Sequence, residues 1–138
     1  MKILLAYDGG ASARRALYRA AHLARVAQAS VGVISVVPLY RERGRPIIAP
    51  WDDRARHRED LEAAQAVFNA NGIEPELIEV VGSPAELINR VAEAGGYDTI
   101  VLGAPRKSWL GRLLTGSVMR DVLERVSASE SATVVAVP

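Results

Sequence analysis

The stretch GAPRKSWLGRLLTGS, Gly103–Ser117, combines the residue types that could hold a phosphate group. It contains three glycines and three basic residues but no acidic residue, and it leads into a helical pattern. At the start of that helix, backbone N–H groups would be unpaired and would carry positive dipole character. Gly116 would let an anion approach the backbone, and the Ser117 hydroxyl could donate a hydrogen bond. Ordinary helix caps share these features, so the residues leave both an anion site and a capped helix open.

Two familiar phosphate motifs are absent, and the catalytic candidates are few. No lysine precedes Ser117, so G-x-x-x-x-G-K-[ST] is missing, and the first glycine-rich turn reads DGGASA rather than G-x-G-x-x-G. His22 and His57 have no sequence neighbours that suggest a triad or a metal pair, so we interpret both as surface or boundary residues. We therefore predict no catalytic residue and no protein-made metal site. Asp8 could assist Mg²⁺ only beside the phosphates of ATP.

The elements that would position these residues alternate regularly along the chain. Short apolar runs predict strands, and apolar residues at spacings of three and four predict helices between them. The predicted strands are 2–7, 30–38, 73–81, 97–104 and 131–137, and the predicted helices are 11–28, 53–70, 84–94 and 115–127. Residues 39–54 contain Gly44, Pro46 and Pro50, so we interpret this segment as a long loop without regular structure.

This order predicts an α/β fold with an open parallel sheet and helices on both faces. In such sheets, ligands bind outside the carboxyl ends of the strands. Asp8 follows the first strand and Gly103 ends the fourth, so both lie at the expected binding edge. Asp98 begins the fourth strand and therefore lies at the opposite edge.

Composition restricts the class of protein further. A chain of 138 residues suits one domain, 1–138, with 49% hydrophobic and 24% charged residues. The net charge of +1 gives no support for nucleic-acid binding. There is no cysteine, and no segment approaches the ~20 apolar residues that span a bilayer. The apolar run at Ile3–Tyr7 is too short for a signal peptide, so we expect a cytoplasmic protein without membrane contact.

Several stretches together resemble the universal stress protein family. They are the opening AYDGGASARRAL, the middle GSPAELI followed by YDTIVLG, and the closing loop, helix and strand. The resemblance covers essentially the whole chain. It implies a flavodoxin-like sheet of five parallel strands in the order 3-2-1-4-5. The nucleotide-binding branch of that family carries the motif G-x2-G-x9-G-[ST].

The resemblance assigns a set of nucleotide-binding positions in this chain. The family's ribose-binding aspartate corresponds to Asp8, and the adenine-contacting backbone to the end of the second strand. The positions implied are Asp8, Ser35, Val36, Leu102, Gly103, Arg106, Gly116, Ser117 and Val118. Arg106 stands where the family has the second motif glycine. It could crowd the loop or pair with a phosphate, and we favour crowding because the family's loop wraps phosphate with backbone.

The resemblance implies a stress-response module that binds ATP or AMP weakly, with Mg²⁺ accompanying ATP, and that acts through conformation or partners. Because some family members lack the full motif, a second possible function is that of a dimeric interaction protein that binds no nucleotide. A third hypothesis is an ATP-using hydrolase or an adenylyl-transferring enzyme. The family's dimerisation through its last strand, together with an uncharged strand at a sheet edge, leads us to expect a homodimer. The contacting residues would be Val134, Val135, Ala136 and Val137.

Overall fold

The computed structural model describes residues 1–104 and 132–138. Within them, strands and helices alternate much as the sequence predicts. The strands are β1 (Lys2–Ala6), β2 (Ser30–Pro38), β3 (Tyr40–Glu42), β4 (Arg45–Ile47), β5 (Glu76–Gly82), β6 (Thr99–Gly103) and β7 (Thr133–Val137). The helices are α1 (Ala11–Ala27), α2 (Arg54–Ala70) and α3 (Pro84–Gly95).

Five of the strands form one parallel sheet in the order β5-β2-β1-β6-β7. When the short strands β3 and β4 are left out of the count, this is the predicted order 3-2-1-4-5. The fold class inferred from the sequence is therefore confirmed. The predicted third strand was too long at its start, because β5 begins only at Glu76, after Pro75, which has no N–H to donate.

The prediction of an irregular loop over 39–54 was wrong for residues 40–47, whereas residues 48–53 have no regular structure. Strands β3 and β4 form an antiparallel hairpin, with Glu42 opposite Arg45 and Arg41 opposite Pro46. Arg43 (φ 50°) and Gly44 (φ 77°) between them both have positive φ, the backbone of a tight type I′ turn. Pairs alternate between hydrogen-bonded and non-hydrogen-bonded, and the pair beside such a turn is hydrogen-bonded. Pro46 therefore occupies a non-bonded position, where its missing N–H costs nothing.

Both faces of the sheet are covered, and the two faces carry different cores. On one face, small side chains of α1 lie against β1 and β6, and α2 adds Leu61, Ala64 and Phe68. On the other face, Ile88 and Ala92 of α3 pack with residues of β1, β2 and β6. Because alternate residues of a strand face opposite sides, Ser35 lies towards α2 and Val36 lies towards α3.

Among the residues that the structure describes, no helix is both long and apolar enough to cross a bilayer.

Candidate functional site

A cavity of about 390 Å³ opens at the carboxyl edge of the parallel sheet. Its size is within the range of small-molecule sites, and its place is where ligands collect in open α/β sheets. One part of its wall is apolar, formed by the ends of β2 and β6 together with α3: Ile34, Val36, Pro38, Leu102 and Ile88. Such a surface suits a flat, weakly polar ring.

Polar groups enter this cavity from two places. Asp8 approaches from the turn after β1, and Ser12 approaches from the first turn of α1. Asp52 lies just before α2, and Arg56 and His57 lie near the start of that helix. A molecule that filled the cavity would therefore contact apolar walls along its body and hydrogen-bonding groups near its ends.

Asp8 is exposed and its orientation is fixed by the turn that follows it. Its Oδ1 atom accepts a hydrogen bond from the backbone N–H of Gly10 at 2.9 Å. This contact leaves the second carboxylate oxygen able to accept hydrogen bonds from hydroxyl groups in the cavity. Gly9, in the same turn, has a φ of 77°, which favours glycine.

Gly103 lets β6 end directly against the start of α1. A Cβ atom at this position would lie 2.5 Å from the carbonyl carbon of Ser12 and 2.6 Å from the backbone nitrogen of Ala13. Because both neighbours are backbone atoms, only glycine fits without moving the strand or the helix. This close approach places the end of β6 in the cavity wall.

A buried hydrogen-bonded chain of three side chains runs from the sheet to the cavity. Ser35 Oγ lies 2.6 Å from His57 Nδ1, and His57 Nε2 lies 2.6 Å from Asp52 Oδ1. The carboxylate is an acceptor, so Nε2 carries the hydrogen that it donates to Asp52. In the neutral imidazole, Nδ1 then accepts from the Ser35 hydroxyl.

The prediction that His57 is a surface or boundary residue was wrong, because only 5% of His57 is exposed. The sequence did hold a signal. His57, Leu61, Ala64 and Phe68 recur at spacings of four, three and four, and these four residues form the buried stripe of α2. His22 lies on the exposed side of α1, as predicted.

The chain of Ser35, His57 and Asp52 is not a nucleophilic triad. Ser35 is fully buried and faces α2, so a substrate in the cavity has no path to its hydroxyl. The arrangement instead fixes the position of Asp52, whose side chain remains 20% exposed at the cavity.

Asp60 is a further carboxyl group beside the turn between β1 and α1. A Cβ atom on Gly9 would lie 2.6 Å from its Oδ1 atom. Burial raises the pKa of Asp60 above its ordinary value; His57 and Arg56 oppose this rise, and Asp8 and Asp52 add to it. Burial is also the main cause that raises the pKa of the Tyr7 phenol.

The structure brings four of the predicted site residues to one cavity. These are Asp8, Val36, Leu102 and Gly103. The side chain of Ser35 faces the opposite side of the sheet and bonds to His57. The anion loop and its helix, with Arg106, Gly116, Ser117 and Val118, lie outside the described residues. Sequence reasoning did not identify Asp52 or Arg56 as cavity residues, because their place depends on the path of the hairpin.

The fold defines a class, the flavodoxin-like α/β domains, in which the carboxyl edge of the parallel sheet is the usual place for a ligand. The family model described as "Universal stress protein family" matches residues 1–130. The chain belongs to that family, whose members are stress-response proteins.

Solved structures agree with this assignment. A universal stress protein from Archaeoglobus fulgidus is 28% identical, with a TM-score of 0.79 and coverage of 100% of this chain and 98% of the other. A family member from Burkholderia pseudomallei is 27% identical, with a TM-score of 0.75 and coverage of 99% and 95%. An A. fulgidus universal stress protein in complex with dAMP is 26% identical, with a TM-score of 0.71 and coverage of 100% and 98%. No curated protein matches the chain at a significant level.

Proposed function

We propose that this protein binds an adenine nucleotide, AMP or ATP, and that it acts in the stress response through conformation or partners. The observation that carries the proposal is the cavity at the carboxyl edge of the sheet. In it, Asp8 lies beside a wall formed by Val36, Leu102 and Ile88. The carboxylate suits the hydroxyl groups of a ribose, and the apolar wall suits a purine ring.

The similarity to the A. fulgidus protein solved with dAMP supports the choice of an adenine nucleotide. Among the described residues, no group of three potential metal ligands forms a metal site. Mg²⁺ that accompanies ATP would then be held mainly by the phosphates. The absence of cysteine supports action in the reducing environment of the cytoplasm.

Titration calorimetry with AMP and with ATP at millimolar concentrations tests the proposal. Asp8→Asn should weaken AMP binding about tenfold, because hydrogen bonds to a charged acceptor contribute about 1.5–3 kcal/mol. Asp53→Asn is the matched control: it makes the same chemical change at a residue that caps α2 and does not line the cavity. Asparagine caps helices as well as aspartate does, so this control should bind AMP as the wild type does. Absence of heat and of any thermal shift with both nucleotides would refute nucleotide binding.

We also propose that the protein forms a homodimer through β7, which is the last strand in the order of the five-stranded sheet. Val135 on this strand is 37% exposed, and an apolar strand at a sheet edge favours pairing with a second copy. Light scattering at working concentrations should give the mass of two chains. A monomeric mass would refute this proposal without affecting the nucleotide proposal.

A further inference from the structure

Among the described residues, the two carboxylate oxygens of Asp52 have different partners: Oδ1 has a short hydrogen bond, and Oδ2 has one long contact. Oδ1 accepts from His57 Nε2 at 2.6 Å. Oδ2 lies 3.5 Å from the Tyr40 hydroxyl, at the outer limit of a hydrogen bond. A carboxylate has about four lone-pair positions, so Oδ2 has capacity for a donor that enters from the cavity.

The environment holds this carboxylate in one orientation. Ser35 fixes the ring of His57, and His57 in turn fixes Oδ1. From the following turn, the guanidinium of Arg56 donates to the carbonyl of Trp51 at 3.2 Å, which ties down the segment that carries Asp52. A preorganised acceptor of this kind distinguishes ligands by whether they present a donor or an acceptor to it.

The position of Asp52 relative to the rest of the cavity indicates which part of a ligand it meets. Asp8 follows β1, whereas Pro38 ends the neighbouring strand β2 and Tyr40 begins β3 two residues later. Adjacent strands are about 4.8 Å apart, so a nucleoside can bridge the two ends. If a nucleoside bound with its ribose at Asp8 and its ring against Val36, the far edge of its base would point towards Tyr40 and Asp52, which lie beside each other in the cavity wall.

We propose that Asp52 determines the base specificity of the site by accepting a hydrogen bond from the 6-amino group of adenine. Hypoxanthine has nearly the same shape but presents a carbonyl oxygen at that position. Two acceptors would then face each other, and the base would shield the partly exposed carboxylate from water without donating a hydrogen bond to Oδ2. The site is therefore selective for a 6-aminopurine nucleotide over a 6-oxopurine nucleotide. This inference rests on the proposed binding of adenine nucleotides.

The test compares the dissociation constants of AMP and IMP in the wild type and in two variants, by titration calorimetry on the full chain. The wild type should bind AMP about tenfold more tightly than IMP, which corresponds to about 1.4 kcal/mol. In Asp52→Asn the carboxamide oxygen still accepts from His57, while its N–H₂ group replaces Oδ2 and can donate to the oxygen of hypoxanthine. The preference for AMP should then fall at least fivefold. Asp53→Asn, with the same change at the adjacent exposed residue, should keep the wild-type preference.

The outcomes separate this inference from the function on which it rests. If the wild type binds AMP but does not prefer it over IMP, or if Asp52→Asn keeps the preference, then the role of Asp52 is refuted while nucleotide binding stands. If the wild type binds neither nucleotide, the proposed function fails and this inference fails with it. Circular dichroism and thermal unfolding of Asp52→Asn show whether the variant is folded. If Asp52→Asn does not fold, Tyr40→Phe serves as a second variant, because it retains the carboxylate of Asp52. Tyr40→Phe should keep the preference for AMP over IMP. Loss of that preference would refute the assignment of base selectivity to Asp52.

Discussion

The buried contact between Ser35 and His57 leads to a prediction about stability that double-mutant analysis can measure. Ser35→Ala removes the hydroxyl that lies 2.6 Å from His57 Nδ1 and leaves that nitrogen without its partner. Because His57 is only 5% exposed, water cannot readily replace the lost hydrogen bond. A buried polar group left unsatisfied costs about 1–3 kcal/mol, so the free energy of unfolding should fall by that amount.

His57→Ala should cost more, about 2–4 kcal/mol, because it also removes a buried ring from the stripe of α2 and leaves a cavity. It also leaves the Ser35 hydroxyl without its hydrogen-bond partner. Asp52 loses its partner too, but its side chain is partly exposed and water can solvate it. In the double variant both partners are absent, so neither the Ser35 hydroxyl nor the His57 ring is left buried without a hydrogen bond. Its loss of stability should therefore be smaller than the sum of the two single losses, by about 1–2 kcal/mol.

Urea denaturation followed by circular dichroism gives the four free energies that the cycle needs. For a chain of this size, 1 kcal/mol corresponds to about 3–5 °C in the midpoint of thermal unfolding, which provides an independent check. His22→Ala, on the exposed side of α1, is the control and should change stability by less than about 0.5 kcal/mol. If the losses at Ser35 and His57 simply add, within about 0.5 kcal/mol, the two side chains do not interact and the reasoning about the buried chain is wrong.

Three further predictions concern other parts of the chain. Burial and then Glu76 raise the pKa of Tyr97 from 10.0 to about 12, so the unfolded state loses its phenol proton first. The free energy of unfolding should therefore fall as the pH rises from about 10 to about 12. In Tyr97→Phe this decrease should be smaller, because the phenol is absent. Equal dependence of the free energy of unfolding on pH in both proteins would contradict the prediction. Gly103→Ala should reduce the free energy of unfolding by about 1–3 kcal/mol, because its Cβ would meet backbone atoms of α1, and unchanged urea denaturation would show that the contact is not close. Arg106→Gly, outside the described residues, should raise ATP affinity more than AMP affinity in calorimetry if the arginine crowds the phosphate loop; a lower ATP affinity would make Arg106 a phosphate ligand.

The sequence was sufficient for the parallel sheet because its signals are local and mutually consistent. Apolar runs such as KILLAY end at turn residues, and helical periodicity occupies the intervals between them. Once a parallel sheet was inferred, the rule for carboxyl ends placed Asp8 and Gly103 at one edge, and both line the cavity.

The hairpin β3–β4 could not be recognised from the same signals. Gly44 and Pro46 usually mark irregular chain, and the strands that they join have only three residues each. What makes the hairpin possible is the pairing register, which puts Pro46 at a position that needs no N–H. Register is a property of two segments together, so single-residue preferences do not reveal it.

The role of His57 was missed for a different reason, and that reason bears on how this cavity is built. A polar residue is assigned to the surface by default, because its burial is favourable only when partners satisfy both ring nitrogens. One partner, Ser35, lies on a sheet strand distant in sequence, and the other, Asp52, lies at the end of a segment whose path depends on the hairpin. The same three groups therefore explain why the histidine can be buried and why a carboxylate outside the family's motif positions is held at the cavity. In the proposed mode of nucleotide binding, Arg106 would lie at the phosphate end, and the chain from Ser35 to Asp52 would lie at the end that the base occupies. A change at one end can therefore alter affinity for the triphosphate without altering which base is preferred.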